Sequence, residues 1–184
     1  IGIMNRLKHT VASDTLRILY NSLILSHLNF GLLSWGFNTN RIFKLQKKAV
    51  RTIAKAKYNS HTEPLFQSLN LLKISDLHQL KQLKFYFKYK NNSLPTYFSN
   101  LFINNAEINT YTTRQSNQLY VPMAKHAMVK QSFRYSLPLM INTTPASILN
   151  KITHTAIMDF LYTLKNISYD NITPYVPITI AMSA

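Results

Sequence analysis

Cysteine is absent from this chain, glycine occurs only three times, and the 184 residues hold just six carboxylates. Without cysteine there is neither a disulfide framework nor a thiolate metal site, which fits an intracellular location, nuclear or cytoplasmic. Gly2, Gly31 and Gly36 are too few and too dispersed to form a glycine-rich phosphate loop. Asp14, Glu63, Asp76, Glu107, Asp159 and Asp170 stand singly, with no DxD or DD pair. Two-metal phosphoryl transfer needs carboxylates that share ions about 4 Å apart, so no such site is expected. His9, His27, His61, His78, His126 and His154 never fall at HxxxH spacing, and no GxSxG elbow occurs. No catalytic residue, metal ligand or cofactor is therefore expected within this chain. Long apolar runs are missing too: the most apolar stretch, Leu19 to Phe37, is interrupted by Asn21, Ser26, His27 and Asn29 and reads as core. No signal peptide opens the chain, since Arg6 and Lys8 follow Ile1 closely, and the missing initiator Met suggests a fragment or a processed piece.

Positive charge is what the sequence has in excess. Lysine and arginine number 21, giving a formal charge of +15 and a pI near 10.1. A hydrophobic share of 46% sets this apart from a disordered basic tail, so a folded unit with a polyanion partner is expected. Nucleic acid and an anionic membrane surface are the two candidates. The excess is concentrated: twelve cations between Arg41 and Lys90 face only Glu63 and Asp76.

Within that interval, RIFKLQKKAVRTIAKAK (residues 41–57) has the spacing of a two-faced helix. At ~100° per residue, Arg41, Lys44, Lys48, Arg51 and Lys55 fall within an arc of roughly 80°, and Lys47 widens it. Ile42, Phe43, Ala49, Val50 and Ile53 gather opposite, as a face to bury. The stripe would extend about 21 Å at ~1.5 Å per residue, enough to follow several phosphates. A merely solvated face would look the same. A second stripe, Lys81, Lys84 and Lys88, repeats in LHQLKQLKFYFKYK (residues 77–90), where Leu77, Leu80, Leu83 and Phe87 are the buried set. Small Ala49 and Ala54 opposite the first stripe argue against interfacial membrane insertion, which favours bulky Trp, Phe and Leu.

Helix signals dominate up to about Asn104. Ser13 or Asp14 can cap a helix with Leu16, Leu19, Tyr20, Leu23, Ile24 and His27 inward; Asn38, Thr39 or Asn40 can cap the basic helix. His27 then reads as a core histidine. Thr62, Glu63 and Pro64 form a helix start, Ser75 with Asp76 caps the next helix, and Asn91, Asn92 and Pro95 end it. Residues 104–122 are Thr- and Asn-rich without helical period, a loop with room for one short strand. SFRYSLPLMINTTP (residues 132–145) carries two prolines and reads as irregular or extended, before a final amphipathic helix capped at Thr153 or Thr155. The expected class is mostly α: a helical bundle over 1–103, an irregular linker over 104–122, and a small C-terminal part over 123–184 with one helix.

The order of these blocks resembles the region downstream of the polymerase core in non-LTR, LINE-type, jockey-like retrotransposon reverse transcriptases. The likeness rests on LYNSLILSHLNFGLLSWG (19–36), LQKKAVR (45–51), HTEPLF (61–66) and YTTR (111–114), and covers most of the chain. A later block, SLPLMINTTPASIL (136–149), matches at Asn142 and Pro145 but has Ile141 where the family has Trp. The resemblance implies a thumb that grips the template and primer duplex, with LQKKAVR on its grip helix. The fingers, the palm with its paired aspartates and their magnesium would lie upstream in the same polypeptide. The partners it implies are a template–primer duplex or the element's RNA, held through backbone contacts, and the upstream polymerase domains, with no membrane. A free-standing basic helical module for RNA or DNA would carry the same stripes. Trp35 could stack on a base or belong to the core.

Overall fold

A computed structural model describes residues 1–109, 111 and 113–144, and the apolar spacing of three and four becomes helix through most of them. In order come α1 (Gly2–Leu7), α2 (Ser13–Leu19), a π-helical stretch (Tyr20–Leu25), α3 (Ser26–Asn29), α4 (Leu32–Trp35) and α5 (Asn40–Ile53). Then follow α6 (Glu63–Ser68), α7 (Ile74–Lys90), a 3-10 turn (Thr96–Phe98), α8 (Asn105–Ile108), α9 (Ala127–Lys130) and α10 (Phe133–Thr143). The chain is thus mostly α. Among the described residues no sheet forms; an isolated antiparallel bridge joins Asn104 to Leu119. The final helix expected after Thr153 lies outside the described residues.

Two apolar clusters organise these helices. In the first, Ala49, Val50 and Ile53 of α5 bury against Met4, Leu16, Tyr20, Phe66 and Leu71. In the second, Ile74, Leu77, Leu80 and Leu83 of α7 bury against Leu32, Leu119, Leu137 and Ile141. Leu25 and Phe43 pack against both. Gln46 of α5 provides the polar link between them, fully buried and satisfied on both sides of its amide. Its Nε2 donates to the Leu72 carbonyl at 2.8 Å and to the Tyr20 hydroxyl at 3.0 Å, while its Oε1 accepts the Ile74 N–H at 2.9 Å. Ile74 opens α7, so a side chain of α5 caps the helix beside it. Burial also raises the pKa of the Tyr20 phenol, partly countered by that Gln46 bond.

Three departures from the sequence expectation have physical causes. First, the long helix expected from Ser13 turns π-helical at Tyr20–Leu25. A wider turn advances the inward face by about one residue, so Leu25 and Leu28 pack inward while Leu23 and His27 face solvent. His27 is therefore not a core histidine. Second, Ser13 and Ser75 stand inside their helices instead of capping them; the caps are Ala12 and Lys73. Ser75 instead donates to the Asp76 carboxylate at 3.0 Å. Third, residues 133–143 are helical through Pro138. Proline removes one backbone donor, yet Leu137 and Ile141, one turn apart, are buried with Pro138 beside them, and packing outweighs the lost bond.

The helices α5, α6 and α7 end in one backbone motif. A residue of positive φ follows each helix: Lys55 (52°), Asn70 (50°) and Asn92 (51°). In each case the next N–H reaches back six residues' span, Ala56 to Arg51, Leu71 to Phe66 and Ser93 to Lys88, at 2.9 to 3.0 Å. Asparagine tolerates this left-handed backbone; lysine does so less readily.

Candidate nucleic-acid interface

The exposed face of α5 is the outcome of what its other face must bury. With Gln46, Ala49, Val50, Thr52 and Ile53 inward, the helical period turns Arg41, Lys44 and Lys48 to solvent, where all three are exposed. Thr52 joins the buried set because its hydroxyl donates to the Asn5 Oδ1 of α1 at 2.8 Å. Arg41 to Lys48 spans seven residues, about 10 Å of helix, comparable with about three nucleotide rises along one strand.

The other cations of that stripe are placed differently. Lys47 is half-buried, its Nζ 4.4 Å from the centre of the Phe43 ring, which in turn stacks on Phe66 at 6.1 Å. Such a cation–π contact holds the ammonium at the edge of the core. Arg51 is half-buried too, and its Nε donates to the Ser60 carbonyl at 2.9 Å. Lys55 lies beyond the last residue of α5, exposed, at the left-handed position.

On α7 the three lysines sit in a more crowded setting. Lys88 is exposed, whereas Lys81 and Lys84 are half-buried. Burial, and then the charges of Lys81 and Lys88, lower the Lys84 pKa below its ordinary 10.5. The three ammonium groups therefore form one mutually repelling cluster. The same helix carries an aromatic sheath: Phe85 meets Phe133 edge-on at 4.9 Å, and Tyr89 meets Phe102 edge-on at 5.1 Å. Tyr89 also donates its hydroxyl to the Phe102 and Ser99 carbonyls, each at 3.0 Å.

Two carboxylates have partners of their own: Glu63 pairs with Lys73, and Glu107 accepts from both the backbone N–H and the side-chain amide of Asn104. Among the described residues no group of three or more His, Asp or Glu is arranged to hold a metal ion, and no helix is long and apolar enough to cross a membrane.

Two side chains singled out from sequence turn out to support structure. Trp35 is half-buried and its Nε1 donates to the Phe30 carbonyl at 2.8 Å. Gly36 packs so closely on His78 that an added Cβ would lie 2.3 Å from the imidazole Cδ2, and burial lowers the His78 pKa. Two others were missed by sequence reasoning. Gln46 was hidden among the lysines of LQKKAVR, although the helical period puts it between Ala49 and Val50 on the apolar face. Tyr58, in the turn after α5, is 76% exposed, and only its setting between Lys57 and Asn59 signals it in the sequence. No protein-family model, curated protein or solved structure matches this chain.

Proposed function

We propose that the chain binds nucleic acid through the exposed face of α5 and is the thumb and following connector of a LINE-type reverse transcriptase. In this reading it grips a template–primer duplex for chemistry performed by an upstream palm, inside the cell, and does no catalysis itself. The observation that carries the binding role is the outward row of Arg41, Lys44 and Lys48 on a helix whose other side buries Gln46, Ala49, Val50 and Ile53. A rigid mount matters because cations carried on a packed helix can follow a regular backbone with only their side chains left to order at binding. Lys47, Arg51, Lys55 and the α7 cluster of Lys81, Lys84 and Lys88 add to the field that draws a polyanion in. Contacts of this kind neutralise phosphates and carry little base information. The reverse transcriptase assignment rests on the ordered sequence blocks, and an upstream palm in the same reading frame separates it from a free-standing basic module.

Changing Arg41, Lys44 and Lys48 together to Gln tests the binding face. All three are exposed, so stability should shift by no more than ~0.5 kcal/mol per site. Affinity should fall about equally for unrelated sequences. The slope of log affinity against log salt should become shallower by ~2 to 3 units, at ~0.9 per duplex phosphate or ~0.7 on a single strand. An unchanged slope with unchanged affinity would mean that the stripe is solvated surface.

A further inference from the structure

Resting on the reading of α5 as a phosphate-binding face, we propose that the turn at residues 57–60 is a stacking subsite. Its ligand would be an unpaired nucleotide at the end of the nucleic acid that α5 holds. The ring is Tyr58. It is 76% exposed, although a phenol of this size is ordinarily at least partly packed away in a helical domain. The turn that presents it is fixed at both ends. The Ser60 N–H donates to the Lys57 carbonyl at 3.1 Å, closing the turn, and Arg51 Nε donates to the Ser60 carbonyl at 2.9 Å, fastening the turn to the last helical residues of α5. The turn that carries the ring is thus tied to Arg51, a member of the cation row, just beyond the end of α5.

The flanking cations strengthen the assignment. Lys55 and Lys57 are both exposed and precede the ring by three residues and one, so the aromatic platform follows directly on cations suited to the phosphates beside a stacked base. Lys55 occupies a left-handed backbone position that the equivalent ends of α6 and α7 give to Asn70 and Asn92. Glycine or asparagine would relieve that strain, and the position holds a cation instead. Trp35 is not available for the same task, since its indole N–H is bound to the Phe30 carbonyl and its ring is half-buried. Stacking is indifferent to base identity, because every base offers a π-face, so the subsite takes single-stranded nucleic acid of any sequence.

The test compares a short blunt duplex with the same duplex carrying a single-stranded overhang of a few nucleotides, titrated against the 184-residue chain and its Tyr58 variants. The parent protein should prefer the overhang by on the order of tenfold. Tyr58→Ala should abolish that preference and leave blunt-duplex affinity and the salt slope unchanged, since a stacked ring releases no counterions. Tyr58→Phe should keep the preference, which distinguishes ring stacking from a hydroxyl contact. An overhang of abasic sites should bind the parent no better than blunt ends. Equal affinity of the parent for both duplexes, or an equal loss on both with Tyr58→Ala, overturns the subsite while the α5 reading stands. No binding to either duplex removes both. A Tyr58→Ala defect confined to vesicles of anionic phospholipid would assign the ring to a membrane surface and also overturn it.

Discussion

The helices α5 and α7 both carry lysines at steps of three and four, and the fold treats them in opposite ways. On α5 the buried residues occupy one side, so Arg41, Lys44 and Lys48 are exposed to solvent. On α7 the buried set of Ile74, Asp76, Leu77, Leu80, Gln82 and Leu83 wraps much of the circumference, and Lys81 and Lys84 are left half-covered. The difference follows from how each buried set is spread around its helix. α5 packs against α1, α2, α6 and α7, yet its buried residues share one side and leave the other bare. α7 meets α4, α5 and α10 with buried residues spread around it, and its aromatic C-terminal half is overlaid by Phe98, Phe102 and Phe133. A charged stripe opposite a one-sided buried face is free to meet a partner. Lysines set among a dispersed buried set are half-covered, and their ammonium groups reach water by extension.

The largest effect separating the two is expected from an acid placed in the buried face of α5. Val50 is completely buried. Val50→Asp leaves an unpaired carboxylate among Ala49, Ile53 and Phe66 and should cost more than ~4 kcal/mol, enough to abolish cooperative unfolding. Circular dichroism and a urea titration measure it. A variant that still folds with near-parent stability would show that α5 is not held by this face.

Next comes the link between the helices. Gln46→Ala strips partners from the Leu72 carbonyl, the Ile74 N–H and the Tyr20 hydroxyl, and should cost ~2 to 4 kcal/mol through buried groups left unsatisfied. The corresponding change in α7, Gln82→Ala, releases only the Ser136 hydroxyl at 3.0 Å and should cost about 1 kcal/mol. Urea midpoints of the two variants give the ratio directly. Equal losses would mean that Gln46 bridges nothing of consequence and that the two clusters hold together through Leu25 and Phe43 alone.

How far the sequence revealed this follows the same division. The period of α5 is undisturbed by glycine or proline, and the exposed Arg41, Lys44 and Lys48 could be read from spacing alone. Elsewhere a local rule gave way to a tertiary one. The π-helical stretch at Tyr20 leaves the hydrophobic count intact but advances the face, so Leu23 and His27, inward by spacing, face solvent. Pro138 suggested a break, yet Leu137, Ile141 and the clasp of Asn142 on Leu119 hold α10 in place. In that clasp Asn142 Nδ2 donates to the Leu119 carbonyl at 2.8 Å and its Oδ1 accepts the Leu119 N–H at 3.0 Å, a contact across 23 residues that no local pattern encodes. Of the site, the cations were legible and their settings were not. Nothing in spacing says that Arg51 reaches a carbonyl nine residues on, or that Tyr58 rides on the turn it fastens.

The smallest effect concerns the crowded lysine. Burial first, and then the charges of Lys81 and Lys88, lower the pKa of Lys84 from 10.5. The folded state therefore holds that proton less tightly than the unfolded chain. Its penalty is fully present below the lowered folded value, and it is relieved as pH rises from there towards 10.5. Lys84→Met keeps the stem and removes the charge, so near neutral pH it should be neutral to slightly stabilising. Its advantage over the parent should shrink as pH rises from the lowered folded value towards 10.5. Comparing urea midpoints of parent and variant at each pH cancels the other titrating groups, including Tyr20 and Tyr86, whose phenols burial shifts upward. A polyanion laid on the α7 cluster should reverse the shift, because negative charge favours the ammonium form. Binding at alkaline pH below 10.5 should then take up protons in the parent and fewer in Lys84→Met, as calorimetry in buffers of different ionisation heat would record. Equal proton uptake by the two proteins would place the bound backbone on α5 alone and leave the α7 lysines as half-sheltered surface.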